Sequence, residues 1–441
     1  MPVVYSILYI LYFLLFLWLI RRLRFFQETE LSIGWHSVFF SLKALAGLGL
    51  TLIYTYYYTD AAKADIYRYF NDSTIISSLL WHHPKVWLSV ITGIGINSPD
   101  NFQYLLNTQY FSHPGQDLVT SNGLIIRLSS LCNFLSFSNI YINTLFFSFL
   151  SFVGLTGLYN IFKKHFETAP VIPVVAFYLL PSVVFWGSGL LKEAPVFFFL
   201  GMLFYSFTRA NRIVQVVVPL LCVLALLMLR PPLFVALIPA ALVFITADTL
   251  LNYRGTASQL LGRRIGIALI WLIGAIIIGY NAPRVCEQVI NKRNEFVELG
   301  LQEHPGSYFD ASIEQADCSS FAKLLPKALV DGSFRPFIWS AANKIELLFG
   351  IEQTLLWLVL LLLLLRYGSV PTFGTIPVFL FCLVFAIGFY WLIGLTVPIM
   401  GAIVHYRVLA TPFLVLGIGY LLNLQKFLYD VNRLNFFKKR P

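Results

Sequence analysis

Long apolar runs recur along most of the chain and alternate with short polar turns. A helix that spans a bilayer needs about twenty mostly apolar residues, because its backbone polar groups must be hydrogen-bonded within the segment. Roughly eleven runs have this character, at about 3 to 20, 37 to 58, 139 to 161, 169 to 187, 193 to 208, 213 to 229, 232 to 249, 265 to 281, 353 to 365, 375 to 397 and 405 to 424. The pattern predicts an all-α fold, a polytopic transmembrane helical bundle.

Two places in this pattern affect the number of crossings. The run at 353 to 365 is short, and the corner Arg230-Pro231-Pro232 could be a kink within one element. If either segment crosses a different number of times, the loops that follow it lie on the opposite side of the membrane. The chain shows no internal repeat, low-complexity tract or long linker, so residues 1–441 are predicted to form a single membrane domain.

The composition favours a membrane protein over a soluble one. Of the 441 residues, 58% are hydrophobic and 12% are charged, with a mean hydropathy of +0.76, whereas soluble domains are about half apolar and about a quarter charged. The first apolar run is followed, not preceded, by Arg21, Arg22 and Arg24. We therefore predict a retained span there and not a cleaved signal peptide.

The net charge of +10 could suggest nucleic-acid binding, but the placement of the basic residues indicates topology instead. Lys and Arg of short loops concentrate on the cytoplasmic side of a membrane. One alternating set of loops carries 16 of the 31 basic residues: Arg21, Arg22, Arg24, Lys163, Lys164, Arg209, Arg212, Arg254, Arg263, Arg264, Arg366, Lys426, Arg433, Lys438, Lys439 and Arg440. The opposite side carries 16 of the 21 acidic residues. We predict an amino terminus outside, a carboxyl terminus in the cytoplasm and no nucleic-acid partner.

This topology leaves two large extracytoplasmic loops, at about 60–138 and 282–352, which are predicted to contain short helices. In the first, Trp81 and Trp87 stand among Ser, His and Lys, a mixture typical of helices at the membrane interface. The second contains Cys286 and Cys318 on the side where disulfides can persist. These two cysteines are therefore candidates for a disulfide.

The first candidate for chemistry follows the second predicted span, where Asp60, Asp65 and Asp72 occur in one short stretch with Arg68. On a helix, Asp65, Arg68, Tyr69 and Asp72 would share a face. A carboxylate there could act as a general base, and Asp65 with Asp72 could bind a divalent cation such as Mg²⁺ or Mn²⁺. Arg68 could hold a phosphate. The structural alternative is a solvated helix start.

The second candidate is Lys192-Glu193, which ends the segment Trp186-Gly-Ser-Gly-Leu-Leu and opens an apolar helix. Ionisable residues are costly in such a position and indicate a functional site with a partner. The alternative is a cap, since the helix dipole favours an acid in the first turn and a lysine can reach the interface.

Arg230, Arg335, His405 and Arg407 fall on the same predicted external side. Arginines that converge with Lys192 would suit a phosphate or pyrophosphate group. The alternative is that each one anchors to lipid headgroups. A Walker loop, a dinucleotide fingerprint, a Cys-x-x-Cys pair and a zinc-binding His-Glu-x-x-His helix are all absent from the sequence.

These features resemble the GT-C superfamily of polytopic glycosyltransferases that use lipid-phosphate sugars, and related bacterial surface-polysaccharide membrane proteins. Asp65-Ile-Tyr-Arg-Tyr69 is similar to the acidic setting in the first external loop of that superfamily, with Asp60 as the reserve. His405-Tyr-Arg-Val-Leu-Ala-Thr-Pro412 resembles its late Tyr-Arg element, and Phe334-Arg-Pro-Phe-Ile-Trp339 looks like a segment of bacterial sugar-polymer proteins. In many members this loop follows span one, whereas here it follows span two.

The resemblance implies sugar transfer from a polyprenyl-phosphate donor to a glycan, lipid or protein acceptor, outside a bacterial inner membrane. Asp65, Asp60 and Glu193 would be catalytic, and Arg68, Lys192, Arg230, Arg335, His405 and Arg407 would bind substrate phosphate. A divalent cation is the cofactor this site could take. Three alternatives stay open: a polysaccharide polymerase or ligase, a transporter or flippase, and a non-catalytic subunit of a cell-envelope complex.

Overall fold

The protein was analysed as a computed structural model, which describes residues 3–56, 64–95, 98–111, 121–167, 169–252, 255–303, 312–341, 343–371, 373–423 and 426. These residues form α-helices joined by short turns, and none of them belongs to a β-strand; one isolated bridge pairs Gly368 with Leu422. The predicted all-α fold is confirmed.

The helices, in chain order, are α1 (Val3–Arg22), α2 (Arg24–Gln27), α3 (Ile33–Tyr56), α4 (Asp65–His82), α5 (Pro84–Thr92), α6 (Pro99–Phe102), α7 (Ser121–Ser136), α8 (Ile140–Phe162), α9 (Val171–Val174), α10 (Pro181–Trp186), α11 (Glu193–Ser206), α12 (Arg212–Leu229), α13 (Pro232–Leu251), α14 (Ala257–Glu303), α15 (Cys318–Phe334), α16 (Lys344–Tyr367), α17 (Ile376–Thr396), α18 (Met400–Arg407) and α19 (Thr411–Gly419).

Within the described residues, eight helices are long and apolar enough to cross a membrane, and a ninth crossing results if the bent pair α18 and α19 is one span. The protein is therefore an integral membrane protein. The run predicted at 353 to 365 belongs to the 24-residue helix α16, which is long enough to span. At the Arg230-Pro231-Pro232 corner α12 ends at Leu229 and α13 begins at Pro232, so the corner separates two helices.

The two remaining predicted spans differ from expectation. The run at 169 to 187 is divided into α9, a π-helical turn at Val175–Leu179 and α10. Pro181 accounts for part of this division, because proline has no N–H for the preceding turn and is tolerated at a helix start. The run at 193 to 208 forms α11, whose 14 residues measure about 21 Å, less than the apolar thickness of about 30 Å.

The chain divides into two compact units, Met1–Lys164 with Phe177–Pro231, and His165–Ala176 with Pro232–Pro441. The sequence alone predicts a single membrane domain, and that stays a prediction. In the first unit α8 is the most buried helix and packs along α11. Gly154 and Gly201 meet at this crossing, where a Cβ on Gly201 would overlap the Gly154 carbonyl. Small residues allow helices in membranes to approach this closely.

A buried polar network joins α4, α7 and α8 in the first unit. The Asn143 amide donates to Asn133 Oδ1 (2.6 Å), and the Asn133 amide donates to Ser73 Oγ (3.1 Å) and Ser77 Oγ (3.3 Å). The Oγ atoms of Ser129 and Ser73 are 2.9 Å apart. Buried polar groups are stable when hydrogen-bonded, so this network fixes α4, which carries the first candidate site, against two other helices.

The second unit contains a longer helix than expected. The sequence predicts a span at 265 to 281 followed by a loop, but α14 continues to Glu303 and has 47 residues, a length of about 70 Å. Residues 284–303 are rich in Glu, Lys, Arg and Asn, so this part of the helix is polar and not apolar. The second predicted loop therefore begins inside a helix.

The predicted disulfide is confirmed, because Cys286 of α14 is bonded to Cys318 at the start of α15. The bond closes a loop with a sequence separation of 32 residues, and a crosslink over such a loop restricts the unfolded chain by about 3–4 kcal/mol.

We expect the double variant Cys286→Ser/Cys318→Ser to lose about 3–4 kcal/mol of unfolding free energy. Denaturant titration in mixed micelles measures this loss. The wild-type protein should lose a similar amount on reduction, whereas the double variant should not respond to reductant. Equal stability of the oxidised wild type and the variant would contradict the prediction.

Candidate functional site

Helix α4 brings the first group of candidate residues to the end of α3. Asp65 lies in its first turn and is exposed, whereas Arg68 is half-buried and Tyr69 is buried. Ile66 and Ile76 of the same helix are buried in the apolar core of this region. An acid in the first turn is favoured by the helix dipole. Asp60, the reserve candidate, lies outside the described residues.

Asp72 has a structural role. It is 1% exposed, and its two carboxylate oxygens accept hydrogen bonds from the backbone N–H groups of Gln109 (2.8 Å) and Tyr110 (2.9 Å). Burial raises its pKa, and the two amides oppose that shift. In the part of the chain that the structure describes, no three His, Cys, Asp or Glu side chains lie close enough to hold a metal ion. The geometry thus makes Asp72 an anchor for the 105–111 segment, and a cation at Asp65 stays a prediction.

That anchored segment places Tyr110 beside Arg68. The two side chains are hydrogen-bonded, and the pKa of Tyr110 is raised, first by burial and then by the charge of Asp65. The Tyr110 and Tyr69 rings lie 5.6 Å apart. The Tyr69 hydroxyl donates to Asn122 Oδ1 at 3.1 Å. Asp65 and Arg68 therefore lie beside two tyrosine rings that pack against each other.

The second candidate pair meets the first at this position. The Lys192 ammonium lies 5.8 Å from the centre of the Tyr69 ring. Burial and then the charge of Arg230 lower the pKa of Lys192 to about 8, while Asp65 and Glu193 act in the opposite direction. Residues far apart in sequence thus share one electrostatic environment. We call Asp65, Arg68, Lys192, Glu193 and Arg230 the charged cluster.

Glu193 and Arg230 form a buried ion pair, from Arg230 Nη2 to Glu193 Oε1. The Glu193 side chain is 0% exposed and that of Arg230 is 13% exposed. Since a carboxylate in this position faces a guanidinium and not solvent, the geometry supports Glu193 as the group that holds Arg230 in place. A catalytic role for Glu193, which the sequence suggests, has no such support.

The segment 187–192 reaches the charged cluster as irregular backbone. Gly187 ends α10 where a Cβ would lie 2.6 Å from the Val183 carbonyl and 2.9 Å from Lys43 Nζ. A Cβ on Gly189 would overlap the Leu50 side chain. The glycines are therefore required by close packing. Non-helical backbone at membrane depth is tolerated where it is buried in protein, and residues 187–191 are all buried.

The candidates in the second unit gather at the end of α15. Arg335 Nε donates to Asp331 Oδ1 at 2.6 Å, and Arg407 Nη1 donates to the Arg335 carbonyl at 2.6 Å. Arg407 is 4% exposed and also lies 5.8 Å from the Tyr390 ring. His405 is half-buried beside Tyr406. Arg407 therefore binds the carbonyl end of a helix, and the single anion site predicted from Arg230 and Arg407 stays a prediction.

Sequence reasoning missed several of these residues. Asp331 stands four positions before Arg335, a spacing that favours an ion pair on a helix, so a signal was present. Tyr110, Asn122 and Arg293 carry no local signal. Arg293 is fully buried and donates to the carbonyls of Gly394 (3.0 Å) and Leu395 (3.3 Å), and only folding brings these groups together.

Comparisons with protein families, with curated proteins and with solved structures found no match for this chain. The fold defines the class of protein, which is an all-α polytopic integral membrane protein.

Proposed function

We propose that this protein transfers a sugar from a polyprenyl-phosphate donor to a glycan, lipid or protein acceptor on the extracytoplasmic face of a bacterial inner membrane. The observation that supports this most is the charged cluster, in which Arg68, Lys192 and Arg230 stand near the exposed Asp65. Basic groups that surround a solvent-exposed carboxylate suit a phosphate-linked donor and a hydroxyl acceptor.

In this mechanism Arg230 and Lys192 bind the donor phosphate, and Glu193 keeps Arg230 in position. Asp65 accepts the proton of the acceptor hydroxyl as that oxygen bonds to the anomeric carbon. The bond from the anomeric carbon to the phosphate oxygen breaks, and the basic groups stabilise the charge left on the lipid phosphate. In the alternative form of this mechanism, the Asp65 carboxylate binds a divalent cation instead of taking the proton.

Two observations support the extracytoplasmic side. Most of the basic residues that occur in short loops belong to the opposite face, as expected if that face is cytoplasmic. The Cys286–Cys318 disulfide belongs to a segment assigned to the outer face, where disulfides persist. An amino terminus outside and a carboxyl terminus in the cytoplasm are part of the proposal. A polymerase or ligase would use the same groups, whereas a flippase or non-catalytic subunit would bind the lipid without transferring sugar.

We expect Lys192→Gln to weaken the binding of polyprenyl phosphate about tenfold or more, because a charge-assisted hydrogen bond contributes about 1.5–3 kcal/mol. The wild-type affinity should also fall as the pH rises through about 8, where Lys192 loses its proton. Native mass spectrometry of the protein in nanodiscs measures both effects.

The matched control is Lys85→Gln, which removes an exposed lysine on α5. This variant should keep the wild-type affinity and its pH dependence. The same affinity for wild type and Lys192→Gln at every pH would argue against a phosphate site at the charged cluster.

A further inference from the structure

Lys43 lies in the middle of a membrane-spanning helix. It is the eleventh residue of α3, about 15 Å from the start of that 24-residue helix. It is 3% exposed, and its amino group donates to the Val183 carbonyl at 3.5 Å. Among the described residues no carboxylate pairs with it. An ionisable residue in this position indicates a function.

The elements packed around Lys43 present other titratable groups, and these are hydrogen-bonded elsewhere. Tyr9 of α1 donates to the Ala44 carbonyl, and His36, two turns back on α3, is bonded to Thr29. Tyr178, in the π-helical turn, donates to Thr156 of α8. Further out on α11, Glu193 is paired with Arg230. No described group of opposite charge therefore compensates an ammonium at Lys43.

A permanent ammonium in this place would be costly, since a buried charge without a partner costs several kcal/mol. A neutral amine avoids that cost. If only packing mattered, an apolar side chain of similar volume would serve as well or better. The amine is thus explained best by its capacity to gain and lose a proton.

Hydroxyl groups, three of them buried and two half-buried, stand between the level of Lys43 and the charged cluster. Ser148 Oγ donates to the Ser188 carbonyl (2.6 Å). The Oγ1 atoms of Thr144 and Thr51 are 3.1 Å apart. Ser148 and Thr144 meet at Gly47, one turn after Lys43. We call these hydroxyls, together with the two described next, the hydroxyl row.

The hydroxyl row ends at the candidate site. Thr55, one turn after Thr51, has its Oγ1 2.6 Å from the Tyr67 hydroxyl. Tyr67 belongs to α4 and stands between Asp65 and Arg68 in the chain. Thr51 and Thr55 of α3 therefore place hydroxyl groups one helical turn apart between the middle of α3 and α4, and each lies within hydrogen-bond distance of a second hydroxyl.

We propose that Lys43 is an intramembrane proton-binding site that exchanges protons with the outer face along the hydroxyl row. The lone pair of the amine takes a proton from hydronium, which leaves ammonium and water. The ammonium then binds the Val183 carbonyl more strongly than the amine does. Residues 187–191 connect α10 to Lys192, so proton occupancy acts on the charged cluster; this last step rests on the proposed function.

The test is solid-state NMR of the full chain with ¹⁵N-labelled lysine side chains in lipid bilayers, from about pH 5 to about pH 10, the range documented for buried lysines and beyond. Lys43→Met assigns the Lys43 resonance by its disappearance, and Lys43→Arg assigns it a second time if the Met variant does not fold. Lys85→Met should remove a different resonance. We expect the Lys43 nitrogen to convert between amine and ammonium within this range. A nitrogen that stays in one form throughout overturns the proposal.

The path is tested by Thr51→Val/Thr144→Val, which removes one hydroxyl pair and keeps the side-chain volume. Proton exchange at Lys43 should slow at least about tenfold, and Thr156→Val, a buried hydroxyl outside the row, should leave it unchanged. Equal rates in both variants overturn exchange along the row. These readouts use no substrate, so a titrating Lys43 together with absent binding of polyprenyl phosphate would reject the proposed function alone.

Discussion

Asp65→Asn should lower the rate of sugar transfer by about a hundredfold to ten-thousandfold, the usual contribution of a general base. The amide has nearly the same shape as the carboxylate but cannot take the acceptor proton. Because Asp65 is exposed and only its first-turn position contributes to the helix, the fold should be unaffected. Transfer of sugar from a polyprenyl-phosphate donor by purified protein in nanodiscs, with thermal unfolding measured in parallel, checks this result.

Two further variants make the experiment decisive. Glu295→Gln changes an exposed acid of α14 and should leave transfer unchanged. Asp60→Asn tests the reserve candidate. Full activity of Asp65→Asn would remove the base assignment from Asp65, and loss of activity in Asp60→Asn alone would transfer that role to Asp60.

Arg230→Met should destabilise the protein by about 3–5 kcal/mol, because it removes the guanidinium that pairs with the buried Glu193 carboxylate. The double variant Glu193→Gln/Arg230→Met should recover most of that loss, since the neutral amide at position 193 does not need a guanidinium beside it. Binding of polyprenyl phosphate should stay weak in both variants, because both lack the guanidinium. Denaturant titration and native mass spectrometry separate the two effects.

The first unit offers a matched exposed pair in Arg209 and Glu28, whose side chains are 44% and 40% exposed. Arg209→Met should change stability by no more than about 1 kcal/mol, as expected for a surface ion pair. If Arg230→Met were as mild as Arg209→Met, Glu193 would not depend on Arg230. If the double variant bound the lipid as well as wild type, Arg230 would not belong to the phosphate site.

The apolar pattern predicts most of the fold because a spanning helix leaves a continuous signal about twenty residues long. It fails between 169 and 208, where apolar composition continues while the backbone breaks. Gly187 there lies close to Lys43, a contact between residues that are far apart in sequence. Hydropathy also ends α14 too early, since its polar continuation stays helical after the apolar part stops.

The sequence predicts only part of the candidate site. Lys192 stands out because it interrupts an apolar stretch, and Asp65 stands out in a cluster of acids. Their proximity could not be predicted, because it depends on how α4 packs near the irregular segment. The two amide partners of Asp72, at Gln109 and Tyr110, could not be predicted because they belong to a segment with no pattern of its own. The bond between Cys286 and Cys318 was predicted because both cysteines fall in one predicted extracytoplasmic loop.

The polar part of α14 has a defined length. From residue 282 to Glu303 the helix rises about 32 Å, and the start of this part is linked to α15 through Cys286. A continuous helix attached at one end keeps its two ends at a nearly constant separation. Two fluorophores placed at the ends of this part would thus show an energy transfer that changes only when the helix bends or unfolds.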